Sequence, residues 1–291
     1  ARARPVDGRG AGRQRRATDG VTPARGRRAA GSGAERGRRA APDERAGREL
    51  TAPVEDYLKA IYELEQTGAA AGTNELAARL HIAPASVSGM VRRLADQELI
   101  AHERYKGARL TDAGRRAALR TIRRHRVIET YLTEALGYPW DRVHDEAERL
   151  EHACSDELVD RMAAAIGEPA HDPHGAPIPT REGTVDERRY ASIADLNVGD
   201  SVSVRRVSDE DGDRLRYLAE LGIVPGAQLK VLDRAPFEGP ITVGIGGETR
   251  QIGPSLAAEV LVEDSAHAAP PSSGTPLAPG PRKEARSRRT P

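Results

Sequence analysis

The chain is poor in cysteine and in aromatic residues: its 291 residues include one cysteine, one tryptophan and one phenylalanine. The single cysteine, Cys154, excludes an internal disulfide framework and is typical of a reducing cytoplasm, where we expect this chain to act. Aromatic residues make up only 3% of the chain. This disfavours a pocket for an organic ligand, since such pockets are usually lined by apolar and aromatic side chains.

Long apolar runs are also missing from the sequence. No segment approaches the roughly 18 apolar residues that a membrane-spanning helix needs, so we expect no association with a membrane. The arginine-rich start "ARARPVDGRGAGRQRR" is not followed by the apolar segment of a secretory signal. We therefore do not expect secretion.

The net charge of +1 is the sum of two basic ends and an acidic middle. Residues 1–50 carry about +8 and residues 266–291 about +4, which leaves about −11 for the middle of the chain. Both ends have few large apolar side chains, so we expect a disordered basic extension over 1–50 and a disordered tail over 265–291. The foldable middle is acidic.

Residues 51–115 have the pattern of a winged helix-turn-helix. The stretch "VEDYLKAIYELEQ" spaces its apolar residues along one face of a helix. Two shorter helices are predicted over "TNELAARLHI", with Thr73 as the expected cap, and over "PASVSGMVRRLADQ". The stretch "IAHERYKGARLT" predicts two brief strands around a Lys-Gly turn. In such a fold the second short helix enters the major groove of DNA.

That second short helix begins with small side chains, which permit a close approach to bases, and arginines follow one turn later. Serines can contact base edges or phosphates, and arginines can reach phosphates. The residues that we expect to contact duplex DNA are Thr73, Asn74, Pro84, Ala85, Ser86, Ser88, Gly89, Arg92, Arg93, Lys106 and Arg109. The alternative is a winged helix that makes only protein contacts.

Residues 116–170 predict two long helices, over "DAGRRAALRTIRRHRVIETYLTEALG" and "PWDRVHDEAERLEHACSDELVDRMAAAIG". Such helices have few partners within one chain, which favours a homodimer. A Pro/Gly-rich linker is expected over 171–191. Over 192–264 the apolar period changes to two, and short strands separated by turn residues predict a small SH3-like β-barrel. The predicted fold class is α+β, with several domains.

The stretch "HDEAERLEHACSDE" places two histidines and six acidic residues in fourteen positions. The residues that share one helix face by three- and four-residue spacing are His144, Glu148, Glu151 and His152. In the preceding helix His125 and Glu129 are also four apart. Such a set is either a solvated acidic face or a site for a divalent metal, and imidazole with carboxylate suits Mn(II) or Fe(II). Spacing alone leaves both interpretations open.

Several motifs together are similar to one family. They are "EDYLKAIYELE", "LAARLHIAPASVSGMVRRL", "RRHRVIETYL", "VHDEAERLEHACSDE", "PHGAPIP" and "RYLAELGIVPG". Through them, from about Val54 to Val262, the chain resembles the diphtheria-toxin-repressor (DtxR/MntR) family of metal-dependent transcriptional repressors, in its three-domain form. The resemblance implies a homodimer, not an enzyme, that has winged-helix subunits and a FeoA-like C-terminal module. It binds operator DNA when loaded with Mn(II) or Fe(II).

The resemblance also implies which residues bind metal. By position, the primary site comprises Asp56, Glu148, Glu151 and His152, and the ancillary site comprises His125, Glu129 and His144. We expect the acidic "SDED" segment of the third domain to complete the ancillary site through Asp209, with Glu210 beside it.

Two departures within the family bear on the choice of metal. Iron-responsive members have a methionine where Asp56 stands and a cysteine where Glu148 stands, and carboxylates in their place favour Mn(II). Lys59 stands where some compact manganese regulators have a glutamate, so their two-metal cluster is not expected here. We expect a Mn(II)-activated repressor of metal-uptake genes, with an Fe(II)-responsive repressor as the alternative. A metal-dependent hydrolase is disfavoured because no nucleophile motif is present.

Overall fold

The structure is a computed structural model that describes residues 50–66, 68, 70–103 and 107–264. Apart from Leu50, the predicted basic extension and the predicted tail lie outside these ranges. The DNA contact predicted for Lys106 also lies outside them. Among the described residues, no helix is both long enough and apolar enough to cross a membrane.

The first domain contains three helices and a hairpin in the predicted order. Their bounds are α1 Ala52–Gln66, α2 Thr73–Arg79, α3 Pro84–Asp96, β1 Ile100–Glu103 and β2 Gly107–Leu110. The two strands pair in antiparallel fashion, with Ile100 opposite Leu110. One apolar core, which includes Leu58, Leu76 and Leu94, joins the three helices.

The turn between α2 and α3 is tight. Leu80 ends α2, and His81 follows with φ 52, in the left-handed region. The prediction that Thr73 caps α2 is wrong. Gly72 occupies the cap position without a side-chain hydrogen bond, and Thr73 is the first helical residue. The hydroxyl of Thr73 is thus free of a capping role.

The second domain starts with α4, Asp112–Leu136, which is capped by the Thr111 hydroxyl and ends at left-handed Gly137. The helix α4 enters close to β1, because a Cβ at Gly114 would lie 1.9 Å from the carbonyl oxygen of Leu99. This close approach fixes α4 against the hairpin.

The second long helix predicted for this domain is in fact two helices, α5 Val143–Leu150 and α6 Asp156–Ala165. The hydroxyl of Ser155 accepts a hydrogen bond from the backbone N–H of Leu158 and starts α6. Hydroxyl residues favour cap positions over helix interiors, since they bond to the backbone themselves. Glu151 and His152 therefore lie in the turn between α5 and α6 rather than on a continuous helix face.

The segment over 171–191 has no regular secondary structure before Ala191, where a strand begins. It nevertheless packs closely on its neighbours. His171 and Pro177 form an isolated antiparallel bridge. Gly175, with φ +89, lies so close to Arg205 that a Cβ would be 1.9 Å from the carbonyl oxygen of Arg205. The segment is thus held against the third domain, and His174 is fully buried in it.

The third domain contains a six-stranded antiparallel sheet of order β3-β8-β4-β5-β6-β7. Its elements are β3 Ala191–Ser192, a 3-10 helix Ile193–Asp195, β4 Ser201–Val207, α7 Gly212–Glu220, β5 Gln228–Arg234, β6 Ile241–Ile245, β7 Glu248–Ile252, α8 Pro254–Ala257 and β8 Val260–Asp264. Alternate residues of β6 are buried, as the period of two predicts. The sheet and α7 enclose an apolar core of their own.

The loop between β4 and α7 contacts both other domains. Asp209 lies 3.7 Å from Nδ1 of His144 in α5. Glu210 pairs with Arg79 of α2, which also binds Glu63 of α1 at 2.7 Å. The loop therefore links the third domain to the helical domain and to helices α1 and α2.

Candidate metal centre and DNA-binding surface

The primary cluster, which we define as Asp56, Glu151 and His152, joins α1 to the turn after α5. One ligand atom from each of the three residues lies within 4.8 Å of the others. Nε2 of His152 is 2.7 Å from Oδ1 of Asp56 and 3.3 Å from Oε1 of Glu151. These three predicted ligands are thus brought together from two parts of the chain.

Glu148, the fourth predicted ligand of the primary site, takes part in a different contact. Its Oε1 lies 2.5 Å from the ammonium of Lys59, which also contacts Glu151 at 3.1 Å and Nδ1 of His125 at 3.4 Å. His125, Glu148 and Glu151 are themselves close enough to hold an ion. The ammonium of Lys59 thus provides a positive charge among them.

The ancillary cluster, comprising His125, Glu129, His144 and Asp209, is also assembled. Oε1 of Glu129 lies 3.0 Å from Nε2 of His125 and 3.3 Å from Nδ1 of His144. Asp209, predicted as a ligand of this site, approaches His144 from the third domain, whereas Glu210 pairs with Arg79.

A further group was missed by the sequence analysis. This inner cluster comprises Glu129, Asp172 and His174, and all three residues are buried. Asp172 and His174 lie in the segment that was interpreted as a linker. The sequence does contain a sign of this group: in "HDPHG", histidine and aspartate, which are both common metal ligands, lie on either side of a proline.

Three atoms of the inner cluster make no hydrogen bond and could bind a cation, and one of them, Oδ2 of Asp172, also lies 3.5 Å from the guanidinium of Arg126. Oε2 of Glu129, Oδ2 of Asp172 and Nδ1 of His174 are buried and make no hydrogen bond in the described part of the chain. Nε2 of His174 lies 2.8 Å from the carbonyl oxygen of Trp140 and donates to it, so Nδ1, which is 3.8 Å from Oε2 of Glu129, is the nitrogen left for a metal. Buried polar atoms are rarely left unsatisfied, and metal-binding histidines usually donate their second nitrogen in this way.

The charged side chains of these clusters shift one another's pKa values strongly. Burial disfavours a charged His125, but the carboxylate of Glu129 outweighs burial and raises the pKa of His125 to about 10. Glu129 acts likewise on His174, whose pKa rises to about 9 against the effect of burial. Burial and the charge of Glu129 raise the pKa of Asp172 to about 6. A metal binds neutral imidazole, so metal binding displaces the extra protons of His125 and His174.

Every atom of these clusters that can bind a metal is oxygen or nitrogen. Cys154 is close in sequence but packs against apolar cores that contain Ile128 and Val159. The donor set suits a divalent first-row ion with a preference for hard ligands.

The DNA-contacting face expected of α3 is open to solvent. In the described part of the chain, the predicted contact residues Thr73, Asn74, Pro84, Ala85, Ser86, Ser88, Gly89, Arg92, Arg93 and Arg109 are all exposed. Val87, Val91 and Leu94 on the opposite face of α3 are buried in the core. A helix anchored on one side with a small, basic face on the other has the form of a recognition helix.

A winged helix-turn-helix attached to buried and half-buried clusters of histidine and carboxylate defines the class of metal-responsive DNA-binding proteins. Three family models match the chain. They are the N-terminal DNA binding domain of the iron dependent repressors at 49–108, their metal binding and dimerisation domain at 111–180, and the FeoA domain at 191–264. The chain belongs to this family of iron-dependent-repressor-like proteins.

Curated relatives match the chain over nearly their whole length. The iron-dependent repressor IdeR of Mycobacterium tuberculosis is 31% identical over 227 residues, which are 74% of this chain and 98% of IdeR. The diphtheria toxin repressor of Corynebacterium diphtheriae is 28% identical over 227 residues, 75% of this chain and 99% of that protein.

Solved structures agree with the fold. A manganese-dependent transcriptional repressor in complex with manganese is 41% identical, with a TM-score of 0.68 over 72% of this chain and 99% of that one. The manganese regulator SloR is 31% identical, with a TM-score of 0.62 over 72% and 98%.

These comparisons confirm the predicted family and fold class, and they confirm that the chain is a DNA-binding repressor rather than an enzyme. The chain is a metal-dependent transcriptional repressor of a family that dimerises. Relatives named for iron and relatives named for manganese are both similar to it, so the comparisons leave the choice between these metals open.

Proposed function

We propose that this chain is a Mn(II)-activated, homodimeric repressor that binds the operators of metal-uptake genes in the cytoplasm. The observation that supports Mn(II) is the donor set. Asp56 and Glu148 are carboxylates, and the clusters contain no sulfur ligand. Mn(II) is the weakest binder of the divalent series and depends most on hard oxygen ligands.

Two ions per chain are proposed. The primary ion is held by Asp56, Glu151 and His152, with Glu148 as the fourth ligand when its carboxylate turns from Lys59. The second ion is held at Glu129, which the ancillary cluster and the inner cluster share. Nδ1 of His174, which is buried and makes no hydrogen bond in the described part of the chain, favours the inner cluster for it, and the ancillary cluster with His125, His144 and Asp209 is the alternative.

Metal loading and DNA binding are coupled through α1. Asp56 lies on α1 in the DNA-binding domain, whereas Glu151 and His152 follow α5 in the helical domain. When bound, a divalent ion supplies positive charge and coordination bonds that join these two parts. The repulsion between their carboxylates then falls, and the DNA-binding helices are held in one orientation. By linkage, operator DNA tightens metal binding by the same factor.

The test compares operator affinity in four conditions: wild type and Glu148→Ala, each with Mn(II) and with chelator. The operator is a duplex selected by its binding to the Mn(II)-loaded protein. Mn(II) is expected to tighten binding by wild type about 5- to 150-fold, the usual range of allosteric coupling, and to have little effect on Glu148→Ala. Equal affinity in all four conditions contradicts the proposal.

The alternative metal is Fe(II), which is favoured by the curated relatives named as iron-dependent repressors. The same assay at buffered free concentrations of Mn(II), Fe(II), Zn(II) and Co(II) separates the two. Activation by Fe(II) at lower free concentration than Mn(II) would make this chain an iron sensor and leave the rest of the mechanism unchanged.

A further inference from the structure

His152 lies between two consecutive carboxylates of α1, one at each ring nitrogen. Its Nε2 is 2.7 Å from Oδ1 of Asp56, and its Nδ1 is 2.7 Å from Oε2 of Glu55. Asp56 was predicted from the sequence as a metal ligand, whereas Glu55 was not. The two carboxylates therefore approach the same ring from opposite sides.

Glu55 is held in place, whereas Asp56 is freer. The side chain of Glu55 is 12% exposed and that of Asp56 is 39% exposed. The second oxygen of Glu55 binds the guanidinium of Arg124 in α4, and this guanidinium also donates to the hydroxyl of Thr121 at 3.3 Å. Both oxygens of Glu55 are thus occupied by partners on other elements, so Glu55 is not itself available as a metal ligand.

We infer that Glu55 is a positioning residue for the primary metal site: it accepts the Nδ1–H of His152 and so leaves the Nε2 lone pair for the ion. This inference rests on the proposed function. An imidazole has one donor and one acceptor nitrogen when neutral, and the partner of one nitrogen decides which of them is free for a metal. A carboxylate partner also makes the other nitrogen more basic and fixes the plane of the ring.

The position of Glu55 gives α1 two roles at the site. Asp56 supplies a ligand, and its neighbour orients the ligand that comes from the turn after α5. Because Arg124 ties Glu55 to α4, the ring of His152 is oriented by three elements of the fold. A histidine in a turn would otherwise have to lose rotational freedom when it binds the ion.

The first measurement is Mn(II) affinity by calorimetry in wild type, Glu55→Ala and Glu55→Gln. We expect Glu55→Ala to bind the primary ion about 10- to 100-fold more weakly, the usual cost of losing such a partner. The loss should be smaller in Glu55→Gln, whose amide oxygen still accepts a hydrogen bond and whose shape protects the fold. Glu63→Ala is the matched control, since Glu63 lies on the same helix and also pairs with an arginine, Arg79. Its affinity should equal that of wild type.

The second measurement distinguishes positioning from a merely structural role. Nitrogen-15 spectra of the Zn(II)-loaded protein report which ring nitrogen of His152 carries the metal and which carries the proton. Wild type should show metal on Nε2 and a proton on Nδ1, and Glu55→Ala should show a mixture or a reversal. Unchanged affinity in Glu55→Ala, or a weaker affinity with an unchanged nitrogen pattern, overturns the inference. If wild type itself binds no Mn(II), the proposed function fails instead.

Discussion

Lys59 carries a largely buried positive charge into the group formed by His125, Glu148 and Glu151. Its ammonium contacts all three side chains, and its pKa is raised because Glu151 and Glu148 outweigh the effect of burial. A tethered ammonium in this position neutralises carboxylates that would otherwise need a second ion. The primary site is therefore expected to hold one ion, not two.

Replacing Lys59 tests this role. In Lys59→Ala the buried carboxylate of Glu151 loses one cationic partner but keeps His125 at 2.6 Å, so the free energy of unfolding of the metal-free protein should fall by less than about 3–5 kcal/mol, the cost of a buried charge left with no partner. The number of Mn(II) ions bound per chain should rise by one. Denaturant unfolding in chelator and calorimetric titration measure the two effects. Lys230→Ala, at an exposed position of β5, should change neither. Unchanged stability and stoichiometry in Lys59→Ala would mean that the ammonium is not needed for charge balance.

His174 and His144 discriminate between the two proposed locations of the second ion. His174→Ala removes a ligand of the inner cluster only, and His144→Ala removes a ligand of the ancillary cluster only. We expect His174→Ala to lose one bound Mn(II) per chain, and His144→Ala to keep both with at most a modest loss of affinity. Equilibrium dialysis with metal analysis gives the count. The opposite result would place the second ion among His125, Glu129, His144 and Asp209.

At the scale of elements, α3 presents the basic face that we assign to DNA. Arg92→Ala should remove one phosphate contact. It should weaken binding about equally for specific and non-specific duplexes and reduce the slope of log affinity against log salt by about 1. Fluorescence anisotropy at several salt concentrations measures the slope. Arg161 on α6 is exposed and paired with Glu157, so Arg161→Ala serves as the control. If the salt slope of Arg92→Ala equals that of wild type, Arg92 does not contact a phosphate of the DNA.

The elements that the sequence predicts well are those with a clear apolar period. Helices α1, α3 and α4 and the strands of the third domain appear where the spacing of apolar residues places them. The break between α5 and α6 was not predicted, because the apolar and acidic residues continue across it and only Ser155 indicates a new start. The strength of a single cap is about 1 kcal/mol, which is too little to read reliably from sequence alone.

The candidate site shows a similar limit. Pairs four residues apart on one helix, such as His125 and Glu129, are visible in the sequence because helix geometry brings them together. The pairing of Glu129 with Asp172 and His174 is not visible, since it depends on how an irregular segment folds back over α4. The same holds for Lys59, whose contact with Glu148 spans 89 positions.

At the scale of the whole molecule, exposed apolar side chains on the helical domain support dimerisation. Leu136, Tyr138 and Leu158 are all exposed there, and this domain matches the metal binding and dimerisation model of the family. A pair of subunits would bury these side chains and present two recognition helices to a two-fold operator.

Leu158→Glu should therefore shift the protein to a monomer and weaken operator binding at least tenfold, because a charge would be buried at the interface. Analytical ultracentrifugation and the anisotropy assay measure the two effects. Leu232 in the third domain has the same exposure, 43%, and Leu232→Glu should leave both unchanged. A dimeric Leu158→Glu would show that another surface joins the subunits.

The stacking of Trp140 on His174, with ring centroids 5.6 Å apart, gives the molecule an intrinsic optical reporter. Trp140 is the only tryptophan of the chain, and its carbonyl oxygen holds the imidazole of the inner cluster. Tryptophan fluorescence of the unlabelled protein should therefore report metal binding at the inner cluster and should not respond to metal binding at the primary cluster. Quenching by Mn(II) that persists in Asp56→Ala but disappears in His174→Ala would allow the order in which the two ions bind to be followed in real time.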